Sequence, residues 1–158
     1  MDIALYQPDI PQNTGAILRL AACMDVTVHI IAPSGFDVSE RAIRRAGLDY
    51  IAHARIERHR SFGTFSKWRM DQKRRIILLT TRAETPYTAL TYQRGDILLL
   101  GRESAGVPDD VHTSADARVL VPMAPGRRSL NIVTAAAMVL GEGLRQTGGF
   151  PSASGGRR

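Results

Sequence analysis

Three short polar motifs hold the residues of this chain that are best suited to chemistry. The first is Pro11-Gln12-Asn13-Thr14-Gly15, with Arg19 one helical turn further on. The second is Gly101-Arg102-Glu103-Ser104-Ala105-Gly106. The third is Val121-Pro122-Met123 followed by Ser129-Leu130-Asn131. Each lies at the end of a strand-like apolar run. Glycines and turn residues in such places expose backbone N–H and C=O groups, which is what a nucleotide-like ligand needs. The long gaps between the motifs require one site assembled from distant parts of the chain.

The elements that must do this assembling are legible in the apolar pattern. Ile3 to Tyr6 reads as a short strand closed by Gln7-Pro8, and Val26 to Ile31 as a second. Between them Asn13 is placed to cap a helix from about Thr14 to Met24, with Ile17, Leu18, Ala21 and Met24 at helical spacing. Ser39 to about Ala46 reads as a basic helix stopped by Gly47, and Ile51 to Ile56 as a short strand. Ser61 to Met70 reads as an amphipathic helix carrying Phe62, Phe65 and Trp68. Ile76 to Thr80, Ile97 to Leu100 and Arg118 to Val121 are apolar runs of the kind that suits buried parallel strands. A long helix is expected from about Leu130 to Gln146. Gly141 and Gly143 within it suggest close helix–helix contact at a dimer interface. Strands alternating with helices predict an α/β fold with a mostly parallel sheet. Neither Gly-x-Gly-x-x-Gly after a strand nor Gly-Lys-Ser/Thr is present, which argues against a Rossmann dehydrogenase or a P-loop ATPase.

Composition narrows the class. The 158 residues, 44% hydrophobic and 23% charged, fit one domain, expected over 1–149, with a Ser/Gly/Pro-rich disordered tail over 150–158. No signal peptide and no membrane-length apolar run is read, so a cytoplasmic location is expected. One cysteine and four histidines without ligand spacing predict no disulfide and no metal. The net charge of +6 favours a polyanionic partner. Arg41, Arg44, Arg45, Arg55, Arg58, Arg60, Lys67, Arg69, Lys73, Arg74 and Arg75 crowd one third of the chain. Such a stretch reads as a phosphate-facing surface or as a solvated helix face.

In order, spacing and total length, the motifs resemble the SpoU-type branch of the knotted (SPOUT) RNA methyltransferases. They are closest to its small TrmL-like group, which 2′-O-methylates the wobble nucleotide of tRNA. The matching stretches are Ile3 to Gly15, Arg44 to Tyr50, Leu79 to Thr81, Tyr92 to Asp96, Gly101 to Pro108, Val121 to Met123 and Arg128 to Asn131. The resemblance implies a C-terminal deep trefoil knot, a homodimer, S-adenosyl-L-methionine as cofactor and tRNA as partner. Its alternatives are the same chemistry on another tRNA position or on rRNA, and a binding protein that has lost catalysis.

Carried over residue by residue, the resemblance places Leu79, Thr80, Gly101, Glu103, Val121, Met123, Ser129, Leu130 and Asn131 at the cofactor. By themselves Leu79 and Val121 read as strand core. The same carry-over makes Arg19 the catalytic group. Asn13 either joins it by holding the ribose or Arg19, or is a helix cap. Glu103 either anchors the site or pairs with Arg102 or Arg128. Arg44, Arg45, Arg127 and Arg128 are expected to meet RNA phosphates. Two positions depart from the family pattern: Val133 where a second serine is usual, and Gly141 where close relatives carry tyrosine.

Overall fold

The computed structural model describes residues 1–37 and 53–152. The basic helix expected from Ser39 to Ala46, with Arg44 and Arg45, lies outside the described residues, as do residues 153–158 of the tail.

Among the described residues six parallel strands form one sheet: β1 (Asp2–Tyr6), β2 (Thr27–Ile31), β3 (Arg55–His59), β4 (Ile76–Leu79), β5 (Ile97–Leu100) and β6 (Ala117–Val119). Their spatial order is β3-β2-β1-β5-β4-β6. Among the described residues four helices accompany them: α1 (Pro11–Met24), α2 (Phe62–Asp71), α3 (Asp109–Ser114) and α4 (Ile132–Thr147). A 3₁₀ turn covers Tyr87–Ala89. The α/β class and the parallel sheet agree with the sequence pattern.

Both faces of the sheet's centre are covered, which is why β1, β4 and β5 read as apolar runs rather than alternating ones, whereas β3 stays largely exposed. On one face Ile3, Leu5, Val28, Ile30, Ile77, Leu98 and Leu100 pack with Ile17 and Leu18 of α1 and Val139, Leu140 and Leu144 of α4. On the other, Ala4, Ile31, Ile76, Leu78, Ile97 and Leu99 pack with Phe65 of α2 and Val111 of α3.

Several local readings are corrected. The strand expected at Ile51 to Ile56 runs over Arg55–His59 among the described residues. Asn13 is not the cap of α1: the helix starts two residues earlier, with Pro11 at its first position and Ile10 before it. Proline is preorganised for that place and lacks only an N–H that would be unpaired there. Gly143 serves packing within the chain, because a Cβ there would run into Met1 Sδ, whereas a Cβ on Gly141 would meet nothing within 4 Å.

The basic stretch is also not one open phosphate-facing surface. Arg55 pairs with Asp25 (2.7 Å), Arg69 with Asp116 (2.7 Å), Arg74 with Asp2 (2.5 Å) and Arg75 with Asp96 (2.7 Å). Apart from Arg69, which reaches over from α2, these residues sit at or just before the N-terminal ends of the strands. Asp116 also accepts the Ile76 N–H at 2.8 Å, so the pairs brace one edge of the sheet.

Asp96 is the most enclosed of these acids. Its fully buried carboxylate accepts both arms of the Arg75 fork (2.8 and 2.7 Å) and the Gln93 N–H (2.8 Å). Asp96→Ala is expected to cost about 3 kcal/mol, because a buried pair broken on one side leaves unpaired groups behind. Urea unfolding measures it; a loss below about 1 kcal/mol would mean that the pair behaves like a solvent-exposed bridge.

Candidate functional site

The C-terminal ends of β4, β5 and β6 open onto a cavity of about 350 Å³. Parallel sheets place ligands at that end, where each strand releases its chain into a loop. β4 contributes Leu78 to Thr81, β5 leads into Leu100 to Glu103 with Gly106, and the stretch after β6 contributes Leu120, Val121 and Met123. Ser129, Leu130, Asn131, Ile132 and Ala135 close it from the start of α4, and Asn13 reaches it from α1. All nine residues expected at the cofactor line this one cavity.

The loop between β1 and α1 ties the other two motifs together. Asp9 Oδ1 accepts the Glu103 N–H at 3.1 Å, and Glu103 Oε2 accepts the Asp9 N–H at 3.4 Å. The Ser104 hydroxyl donates to Asp9 Oδ2, and Arg102 Nε lies 3.6 Å from the same oxygen. On the other side, Asn131 Nδ2 donates to Asn13 Oδ1 at 3.2 Å. Asn131 Oδ1 meanwhile accepts the Val133 N–H (2.9 Å) and the Thr134 N–H (3.4 Å), capping α4. Asn131 is thus the cap, and Asn13 its partner.

The second motif keeps its shape through its glycines. Arg102 and Gly106 exchange backbone hydrogen bonds at 2.9 and 2.8 Å. A Cβ on Gly101 would come within 2.7 Å of the Gly106 carbonyl carbon, and Gly106 has φ +65°. The tight turn itself, before any ligand, requires glycine at both positions.

The paired acids are shifted in opposite directions. Hydrogen bonds in the Glu103–Ser104 turn hold the Asp9 carboxyl well below its ordinary range. Burial, and then the neighbouring Asp9, push Glu103 above its ordinary value of 4.5. Close carboxyls separate in this way because two like charges cannot share one site cheaply. Asp9 escaped the sequence reading. Its signal was an acid held between Pro8 and Pro11, where the chain is stiff.

The basic candidates are not in the cavity. Arg19 is exposed on α1, and Arg127 and Arg128 are exposed on the loop just before Ser129. None of the three is among the lining residues. The site is therefore an open pocket of apolar and polar walls that includes Arg102, with Arg19, Arg127 and Arg128 outside its lining.

Residues 1–141 match the SpoU rRNA Methylase family. A tRNA (cytidine(34)-2′-O)-methyltransferase of Beijerinckia indica subsp. indica is 58% identical over 146 residues, covering 92% of this chain and 91% of that protein. A structure solved for "Structural insights into the 2-OH methylation of C/U34 on tRNA" is similar with a TM-score of 0.84 at 36% identity, covering 92% of this chain and 94% of that one. An AdoMet-bound rRNA methyltransferase from Sinorhizobium meliloti shares the fold, with a TM-score of 0.81 at 24% identity over 90% of this chain and 55% of that one.

Two outcomes follow from the cavity's walls. Gly101→Ala is expected to lower stability by about 1–3 kcal/mol, since the obstacle is backbone and cannot swing aside; chemical denaturation reads it. Glu103→Gln is expected to unfold at least as high as wild type at pH 7. A folded value raised above 4.5 means that ionised Glu103 opposes folding at neutral pH, and that this penalty fades as pH falls toward 4.5. Melting curves from pH 7 to 4.5 check the sign: the advantage of the variant must shrink with acidification.

Proposed function

The chain belongs to the SpoU rRNA methylase family, and on that premise we propose that it is a tRNA ribose 2′-O-methyltransferase. Its target is the wobble nucleotide 34, a cytidine or a modified uridine, and its methyl donor is S-adenosyl-L-methionine. The observation that carries this reading is the convergence of all three motifs on one cavity in a chain of this family.

The lining suits that cofactor. The volume is that of a small-molecule site. Leu79, Leu100, Val121, Leu130 and Ile132 offer apolar walls for an adenosine, and Thr80, Glu103, Ser129 and Asn131 offer polar groups beside them. When bound, S-adenosyl-L-methionine supplies a sulfonium methyl activated toward the ribose 2′-oxygen. Leu79, Gly101, Val121 and Ser129 hold it mainly through backbone, with Thr80, Glu103, Met123, Leu130 and Asn131 alongside.

The protein's remaining task is to bring the hydroxyl into line and to manage its charge. Arg19 holds the target phosphate and stabilises the negative charge developing on the 2′-oxygen. Its guanidinium stays protonated, so the hydroxyl proton leaves to a phosphate oxygen or water rather than to Arg19. Asn13, fixed by Asn131, orients the ribose side of the site. Arg127 and Arg128 meet RNA phosphates beside the pocket, and Arg44 and Arg45, outside the described residues, are assigned to RNA phosphates by the family resemblance alone. An anticodon loop, with its bases splayed out, presents the ribose openly.

The same reading includes a C-terminal segment threaded as a trefoil knot, one domain over 1–149, and a cytoplasmic enzyme. It also includes a homodimer, supported by the exposed apolar side chains of Ile10, Leu130 and Met138. Among the described residues no helix is long and apolar enough to cross a membrane.

Incubation with labelled S-adenosyl-L-methionine and total tRNA, followed by mapping of the methylated nucleotide, tests the function. Label at nucleotide 34 is the expected result, and label elsewhere or on rRNA alone would reassign the substrate. Arg19→Ala is expected to lower turnover by about 100-fold or more while cofactor affinity stays within a few-fold. Large loss of cofactor binding would put Arg19 in the wrong role. Affinity for tRNA should fall steeply as salt rises.

A further inference from the structure

Away from the cavity, on the sheet face covered by α2, three potential ligand atoms converge. His29 of β2 stands opposite Glu57 of β3, and His59 follows two residues later on the same strand. His29 Nδ1 lies 3.1 Å from His59 Nε2 and 3.5 Å from Glu57 Oε2. All three ligand atoms fall within 4.8 Å of one another. A zinc ion with bonds of about 2.0–2.1 Å in tetrahedral geometry separates its ligand atoms by about 3.3 Å. The two measured edges bracket that spacing.

The support around these atoms is also that of a metal ligand set. His29 is fully buried, and its second nitrogen, Nε2, lies 3.3 Å from Asp2 Oδ2. A proton on Nε2, donated to that carboxylate, leaves the Nδ1 lone pair aimed at the cluster. A carboxylate behind a histidine is the usual way in which a metal-binding imidazole is oriented. Arg74 donates to the same Asp2 oxygen at 2.5 Å. The charges gathered here are Asp2, Glu57 and Arg74, one net negative. Phe65 and Trp68 wall the cluster, with the Trp68 ring centroid 4.6 Å from that of His29. Glu57 is about half exposed, which leaves an entry path from solvent.

We propose that His29, Glu57 and His59 form a binding site for a divalent first-row metal ion, with zinc the best match to two imidazoles and one carboxylate. The ion takes Nδ1 of His29, Nε2 of His59 and one Glu57 oxygen, and water completes the tetrahedron. Without metal, His59 Nε2–H donates to His29 Nδ1; for Nε2 to bind the ion, the His59 ring takes its Nδ1–H tautomer. The site clips β3, an edge strand among the described residues, to β2. It takes no part in methyl transfer, and it revises the sequence expectation of a metal-free chain with scattered histidines.

The test is a titration of tag-free, chelator-stripped full-length protein with zinc chloride, followed by calorimetry and by competition with a chromophoric chelator. One ion per chain, with a rise in melting temperature, is expected. Glu57→Gln, at a half-exposed position, is expected to fold normally and to weaken zinc binding by about tenfold or more. His59→Gln is expected to weaken it at least as much. Cobalt bound in place of zinc should give the strong visible absorption of a tetrahedral site in wild type and lose it in Glu57→Gln. Failure to take up zinc saturably, or affinity unchanged in Glu57→Gln, would overturn the assignment.

Discussion

The pairing of β1 with β5 is the constraint on which the candidate site depends. In its register Leu5 lies beside Leu100, so the first and second motifs leave the sheet side by side although ninety residues separate them. The loop after β1 then has an acid, Asp9, facing the turn at Glu103 and Ser104, and the first turn of α1 has an amide, Asn13, facing Asn131. One stiff, proline-flanked loop thereby ties the second motif to the third. Without this strand register neither tie would be in reach, and the cavity would lack the wall shared by its loops.

A second regularity is the division of labour between the two edges of the sheet. Four Arg–Asp pairs involving residues 2, 25, 96 and 116 gather at or next to the N-terminal strand ends. Glycine turns and a helix start gather at the C-terminal ends. In a parallel sheet all strands run one way, so every loop at one edge follows a strand and every loop at the other precedes one. That polarity lets charge brace one edge while the other stays free to surround a ligand. Much of the chain's dense basic stretch thus belongs to the architecture. Exposed Arg19, Arg127 and Arg128 lie outside that stretch, and the proposed RNA role rests on them.

The proposed metal clip sits under α2, away from the cavity, with His29 and Glu57 in mid-strand and His59 at the end of β3. It depends on the same kind of register: His29 opposite Glu57, with His59 two residues on, brings together groups thirty residues apart. The two centres share the sheet and no side chain. Metal at one and cofactor at the other can therefore be measured separately.

What was readable in the linear chain follows a physical rule. Apolar runs buried on both faces announce strands wherever they stand, which is why Ile97 to Leu100 was bounded correctly and β4 within a residue. The three motifs were readable for a similar reason, since turn residues at strand ends have few structural alternatives. Short elements such as α3 and the turn at Tyr87–Ala89 carry too few periodic positions to be seen. Whether Asn13 or Asn131 caps a helix, whether Gly143 faces Met1 or another helix, and whether two histidines meet were decided by the tertiary structure alone. Those facts depend on which distant backbones lie next to one another. Local pattern says that a segment will be a strand, but only the packed sheet sets its neighbours and their register.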